Sequence, residues 1–329
     1  MNPNTHKLRA MQTVAKTFPA LCIKVFCLLW CIAMVEISSG QTNAADLKSG
    51  QKALITFGYH DSWLIMNQKN EIVFLSAHTG ALNLYKVDLD DMQFIKSNKR
   101  GLLMAEYLAY ADFATRYEAL SGYTSGAMDS PEFSPNGTLV AYRRYVKDTT
   151  AMPNTPLHKL PWTFSLHVVD VHTKADRRVL EEEVSAYTFL TDSSILYQAP
   201  VSDSAWLKLL NTHTGEITNY LPISSVAHGI TSDDQFIAIH EEKKVTIVDI
   251  ATKAVVQTVV VPEGMQRVTY LGDQLTLTPR EGPASFMKIS NGKLSNIVGS
   301  YDYEPSVSRS KEYIIVVSEG FGGAVLYKR

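Results

Sequence analysis

From residue 53 onward the apolar residues come in runs of five or six, rich in Val, Ile, Tyr and Thr and separated by short polar stretches. Runs of that length and composition predict strands, because β-branched and aromatic side chains suit a pleated surface. The clearest unit starts at Pro131, where PEFSPNGTLVAY is followed from Leu166 by LHVVDVHTKADRRVL. Aligned on Phe133, the same order of bulky residue, polar turn and apolar strand recurs at Ile65, Phe189, Ile230, Tyr270 and Val307. Second runs follow in register from Leu82, Leu207, Val245, Ser285 and Ala324. Asn136-Gly137, Thr214-Gly215 and Asn291-Gly292 supply residues tolerant of positive φ between the runs, as tight hairpins require.

The spacing of these units sets the architecture. From Phe133 the intervals are 56, 41, 40 and 37 residues, and Ile65 precedes Phe133 by 68. Four short strands with their turns occupy about 40 residues, the size of one propeller blade. Six such blades plus the two long intervals account for the chain that follows the leader; seven do not. The predicted fold is therefore all-β, a six-bladed β-propeller over residues 45–329. An orphan strand, Ala53 to Tyr59, is expected to pair with the C-terminal run, completing the sixth blade and hiding the edges of an open ring.

The segment SPEFSPNGTLVAYRRY, followed by LHVVDVHTKADRRVL, resembles the repeats of TolB-like β-propellers, whose blades carry an aromatic-Ser-Pro-Asp-Gly pattern. Residues 133–141 match that pattern well and the other units are degenerate. The resemblance implies the repeat class and carries no catalytic residue with it.

Two insertions lengthen the repeats, and both are expected on one face of the ring. The first, about 100–129, places Tyr107, Tyr110, Phe113 and Tyr117 at helix-like spacing and predicts a short helix between blades one and two. The second, 146–162, is Pro-rich and holds His158 and Trp162. These six residues are the candidate partner-binding set, although an aromatic stripe of this kind equally suits a plug over the channel. The residues that enter each inner strand would ring the same mouth: His60, Asp61, Glu132, Tyr187, His228, Arg267, Tyr303 and Glu304. Converging acidic, basic and imidazole groups suit a polar ligand, and charged groups also sit at wet mouths without a role.

The N-terminus adds an export signal. A basic region ends at Lys24, an apolar run covers Val25 to Val35, and small or polar residues follow, the order of a secretory signal peptide cleaved near Gly40 or Ala44. Eleven apolar residues make a helix of about 16 Å, short of the roughly 30 Å hydrocarbon core of a membrane. A leader and short linker over 1–44 imply a periplasmic or secreted protein. All three cysteines (Cys22, Cys27, Cys31) lie in that leader, so the remainder has no disulfide or thiolate site. Losing Lys7, Arg9, Lys16, Lys24 and Glu36 with it moves the formal charge from −2 to about −5. A nucleic-acid binder needs a basic footprint, and none is present.

No Gly-x-Ser-x-Gly elbow, phosphate loop or metal-ligand spacing stands out, and neither a cofactor nor a metal is expected. The leading expectation is a non-enzymatic module of the bacterial cell envelope that binds a protein or glycan. The alternatives are a lyase or hydrolase acting on polysaccharide at the channel mouth, and an accessory domain docked on a membrane complex if the leader stays attached.

Overall fold

The computed structural model describes residues 41–43, 52–56, 61–77, 80–89, 93–96, 103–105, 117–148, 159–200, 206–279, 285–296, 307–309, 313–318 and 323–328. Among them every regular element of appreciable length is a strand, and no helix is long and apolar enough to cross a membrane.

Five antiparallel sheets of four strands follow one another along the chain. Blade one consists of Asp61–Met66, Glu71–Ser76, Asn83–Asp88 and Glu118–Ala119. Blade two consists of Ala127–Phe133, Leu139–Lys147, Trp162–Asp170 and Asp176–Leu180. Blades three, four and five begin with Ala186–Thr191, Ala227–Ser232 and Met265–Tyr270. Each first strand lies beside the next around the axis, and Val307–Arg309 lies against Asp61–Met66. The fold is a β-propeller.

Six uniform four-stranded blades are not what the structure contains. Five have that form, and the remaining sheet has seven strands. Val307–Arg309, Tyr313–Ser318 and Gly323–Lys328 form its inner part. The next strand comes from the start of the chain: Lys52–Thr56 pairs antiparallel with Gly323–Lys328, Ala53 opposite Leu326 and Ile55 opposite Ala324. The expected latch is present over Lys52–Thr56, and residues 57–59 of the expected strand lie outside the described residues. The sheet then continues outward through Leu103–Ala105, which runs parallel to Lys52–Thr56, Gln93–Lys96 and Gln41–Asn43.

The first insertion also differs from expectation. Its described parts contain strand, at Leu103–Ala105 and Glu118–Ala119, and bends, but no helix. It lies inside blade one, between the third and outer strands, because Glu118–Ala119 pairs with Tyr85 and Lys86. Residues 106–116 lie outside the described residues. The physical reason is the bare edge of the closing sheet, which takes up 103–105 and satisfies backbone groups that a helix would have satisfied internally. The second insertion connects the second and third strands of blade two, as its position in the repeat implied.

Local chemistry explains the register. Where third strands turn into outer ones, an Asp or Asn side chain caps the turn. Asp170 Oδ1 accepts the N–H groups of His172 (2.9 Å) and Thr173 (2.8 Å). Asn211 Oδ1 does the same for His213 and Thr214. Asp249 Oδ1 accepts from Thr252, at 2.8 Å. These N–H groups hold the Asp170 and Asp249 carboxyls below the usual range. The turn closes on a residue at positive φ, which is Lys174, Gly215 or Lys253.

The SPNG turn of blade two ties three blades together. Asn136 Oδ1 accepts from Thr138 N–H at 2.8 Å, while Asn136 N–H donates to Asp192 of blade three at 2.9 Å. Gly137 sits at φ +74°, and Asn67 of blade one donates to its carbonyl. A Cβ at Gly137 would fall 2.6 Å from Asn67 Nδ2, so glycine is needed for both conformation and contact.

Between successive blades lie apolar layers. Val73, Leu75 and Leu84 meet Val140, Tyr142 and Val169 between blades one and two. Ala141 and Leu166 meet Phe189 and Tyr197 in the next layer, and equivalent layers separate blades three, four and five.

Candidate binding site in the central channel

The inner strands enclose a cavity of about 580 Å³. Its wall combines aromatic faces (Trp63, Phe133, Tyr187, Tyr270) with hydroxyl-bearing residues (Ser130, Ser185, Thr231, Ser232) and ionisable ones (Glu132, Arg143, His228, Asp233, Asp234). His228 stands at the start of its inner strand and Asp234 just beyond the end, so they mark the two ends of the channel.

Much of the charge in this wall is engaged by the protein itself. Arg143 Nε donates to Asp129 Oδ1 at 2.6 Å. Its other nitrogens donate to the Val184 carbonyl (2.9 Å) and Ser130 Oγ (3.0 Å), which joins blade two to the entry of blade three. Asp129 also accepts the Tyr145 hydroxyl, and burial beside that carboxylate pushes the Tyr145 phenol up. Glu132 Oε1 accepts the hydroxyl of Thr188 and, at 3.3 Å, the N–H of Phe189. His228 and Asp234 are exposed to the channel mouths.

Behind His228 lies a buried histidine of the second strand of blade four. His240 is 1% exposed, neither ring nitrogen has a hydrogen-bond partner, and its ring centroid lies 5.7 Å from that of His228. Burial, with the neighbouring His228 as a second cause, lowers its pKa from 6.5 to about 4. Between pH 6.5 and 4 the unfolded chain therefore binds a proton that the native protein refuses, and stability falls as pH falls through that window. His240→Leu is expected to flatten this slope and to add about 1–2 kcal/mol at pH 7 by removing an unsatisfied buried group. Urea midpoints at pH 7 and pH 4.5 check both; an equally steep acid loss in the variant would refute the assignment.

The structure separates the sequence-derived candidates. His60, Tyr303, Glu304, Tyr107, Tyr110, Phe113 and His158 lie outside the described residues. Asp61 opens the inner strand of blade one, and Arg267 lies in the inner strand of blade five. Glu132, Tyr187 and His228 come together in the channel wall. Tyr187 is buried, its hydroxyl donating to the Ser130 carbonyl and to that of Ala141 (3.3 Å), so it ties blades two and three and its phenol is held well above the usual range by burial. Tyr117 packs edge-on against Phe74, ring centroids 5.1 Å apart, in the layer behind blade one. Trp162 is 44% exposed, with the Lys147 ammonium 4.0 Å from its ring centroid at the far end of the long blade-two hairpin. Among the described residues no group of three or more His, Cys, Asp and Glu is placed to hold a metal ion.

No family model and no curated protein sequence matches the chain. Solved structures are similar in fold. TolB from Acinetobacter baumannii is 10% identical with a TM-score of 0.47, over 82% of this chain and 63% of that one. An oligogalacturonate lyase in complex with manganese is 13% identical with a TM-score of 0.45, over 86% of this chain and 98% of that one. The β-propeller domain of Cps50 (Swd1) from Myceliophteria thermophila is 10% identical with a TM-score of 0.48, over 84% and 99%. At these identities the likeness concerns the fold alone, and the chain spans less than two thirds of the TolB chain.

Proposed function

We propose that this propeller is an exported binding module of the bacterial cell envelope, which holds a polar glycan or protein segment in its central channel. The observation that carries this reading is the channel wall itself. Aromatic faces, hydroxyls and main-chain groups line a cavity of about 580 Å³. Its one guanidinium among the lining residues, Arg143, is already paired with Asp129. Such a wall offers stacking and hydrogen bonds to a polar ligand and leaves two exposed polar side chains, His228 and Asp234, at the mouths where they select what enters. The basic-apolar-small order of residues 1–44 supports export.

The test uses the mature chain immobilised for capture from envelope extract and titrated with soluble polysaccharides. His228→Ala with Asp234→Ala is expected to weaken capture at least tenfold while leaving the melting temperature within about 2 °C, because both side chains are exposed. Unchanged capture by the double variant would remove the channel from the reading. New reducing ends on the titrated polysaccharide would replace it with a lyase or hydrolase.

A further inference from the structure

Outside the channel, on the face of blade two that meets blade one, three side chains stand in a line. Ser165 and His167 project from the same face of strand Trp162–Asp170, two residues apart. Asp176 opens the neighbouring outer strand, opposite Val169. His167 Nδ1 lies 3.3 Å from Asp176 Oδ1, and His167 Nε2 lies 3.2 Å from Ser165 Oγ.

The proton positions follow from the chemistry of the partners. Asp176 accepts the hydroxyls of Tyr123 and, at 2.6 Å, Tyr142, and these donors with His167 hold its carboxyl below the usual range. An ionised carboxylate donates nothing, and the Tyr123 hydroxyl, 3.2 Å from Nδ1, gives its hydrogen bond to Asp176, so Nδ1 carries the imidazole hydrogen. Nε2 then presents a lone pair to Ser165 Oγ, and the serine hydroxyl donates to it. A serine donating to an imidazole whose other nitrogen is held by a carboxylate is the arrangement that activates a serine nucleophile. Arg144 stands directly opposite Ser165 on the adjacent strand, its guanidinium carbon 3.8 Å from the Tyr123 ring centroid, and supplies positive charge on the same face. His167 is 7% exposed while Ser165 is only partly buried, so the base is shielded and the nucleophile reachable.

We infer that Ser165, His167 and Asp176 form an acyl-transfer site for carboxylic esters on the flank of blade two, independent of the channel. Ser165 Oγ forms a bond to the acyl carbon as its proton passes to His167 Nε2. The ester's C–O bond then breaks and the leaving alkoxide takes that proton. Water adds to the acyl-serine by the same route, its proton going through His167 to Ser165 Oγ, which releases the carboxylic acid and restores the hydroxyl. Asp176 is a positioning residue that fixes the tautomer, and Arg144 faces the negative charge that develops on the carbonyl oxygen.

The probe is a fluorophosphonate, which phosphonylates activated serines, applied to the full-length protein with the modified peptide located by mass spectrometry. Labelling is expected at Ser165 and is expected to vanish in heat-unfolded protein. It should be lost in Ser165→Ala and slowed at least a hundredfold in Asp176→Asn, where the tautomer is no longer enforced. Circular dichroism melts of both variants separate loss of reactivity from loss of fold. Should Asp176→Asn unfold, His167→Gln serves the same purpose. Native protein that stays unlabelled, or that is labelled equally in Asp176→Asn with its fold intact, would overturn the assignment and leave the cluster as a tie between blades.

Discussion

Deleting Lys52–Thr56 is expected to abolish cooperative folding. This strand supplies the fourth ladder position of the closing sheet and is hydrogen-bonded along its length to Gly323–Lys328. Without it the C-terminal strand, whose Leu326 is fully buried, presents a row of unpaired backbone groups to water or to another chain. The outward strand Leu103–Ala105 loses its partner as well, since it pairs in parallel with Ala53 and Leu54. At about 1 kcal/mol for each main-chain hydrogen bond lost, plus the apolar area uncovered, the change reaches about 5–10 kcal/mol, comparable with the whole stability of an ordinary domain. Calorimetry should show no single sharp transition, and size-exclusion chromatography should show aggregates. A synthetic peptide spanning 50–58, added in trans, is expected to restore part of the transition. A deletion protein that still melts in one step within a few degrees of the intact chain would show that the ring does not depend on this latch.

The second large effect is expected from Arg143→Ala. The guanidinium is surrounded by four partners: Asp129, Ser130, and the carbonyls of Val184 and Ser185. Truncation leaves Asp129 without its cation and removes the donor that Arg143 gives two carbonyls at the blade-three entry. Removing one partner of a largely buried pair costs about 3–5 kcal/mol, because the other charge remains where water reaches it poorly. For a chain of this size that is a fall of roughly 5–15 °C in melting temperature. Arg143→Lys is expected to recover only part of it, since an ammonium meets Asp129 but lacks the planar fork that reaches blade three. Circular dichroism melts of the two variants decide the matter: an alanine variant within 2 °C of the parent would mean that the pair contributes little and that the blades are joined by apolar layers alone.

Much of the architecture was legible along the chain because strand period and turn chemistry are local. The inner strand at Ala127–Phe133 and the hairpin from Leu139 were readable from PEFSPNGTLVAY, where Asn136 and Gly137 fill the turn that their side-chain and backbone chemistry favours. The Asp170 and Asp249 turns likewise rest on hydrogen bonds within three residues. Tyr107, Tyr110 and Phe113 of the helix expected over 100–129 lie outside the described residues, and at Leu103–Ala105 the chain is strand for a non-local reason. Apolar residues at helical spacing also suit strands when a sheet edge is waiting, and Leu103–Ala105 found one formed by residues 50 positions earlier and more than 200 later.

The ionisable clusters were less legible still. The partners of His167 are Ser165 on its own strand, Asp176 on the next and Tyr123 in the loop that joins blade one to blade two. Alternation alone places Ser165 and His167 on one face, which was a usable signal; the approach of Tyr123 and Tyr142 to Asp176 was not. His240 sits in a polar stretch, His240-Glu241-Glu242, yet it fills a buried position of the second strand in blade four beneath His228.

What the amino-acid order determined by itself is the repeating hairpin, its turns and the all-β character, since each depends on side chains and φ preferences a few residues apart. Only the tertiary structure decided how the ring closes, which strands extend the closing sheet, and which charges neutralise one another in the channel. Those depend on groups from distant segments meeting in three dimensions, and an unpaired edge or a desolvated charge selects its partner by geometry that no local pattern encodes.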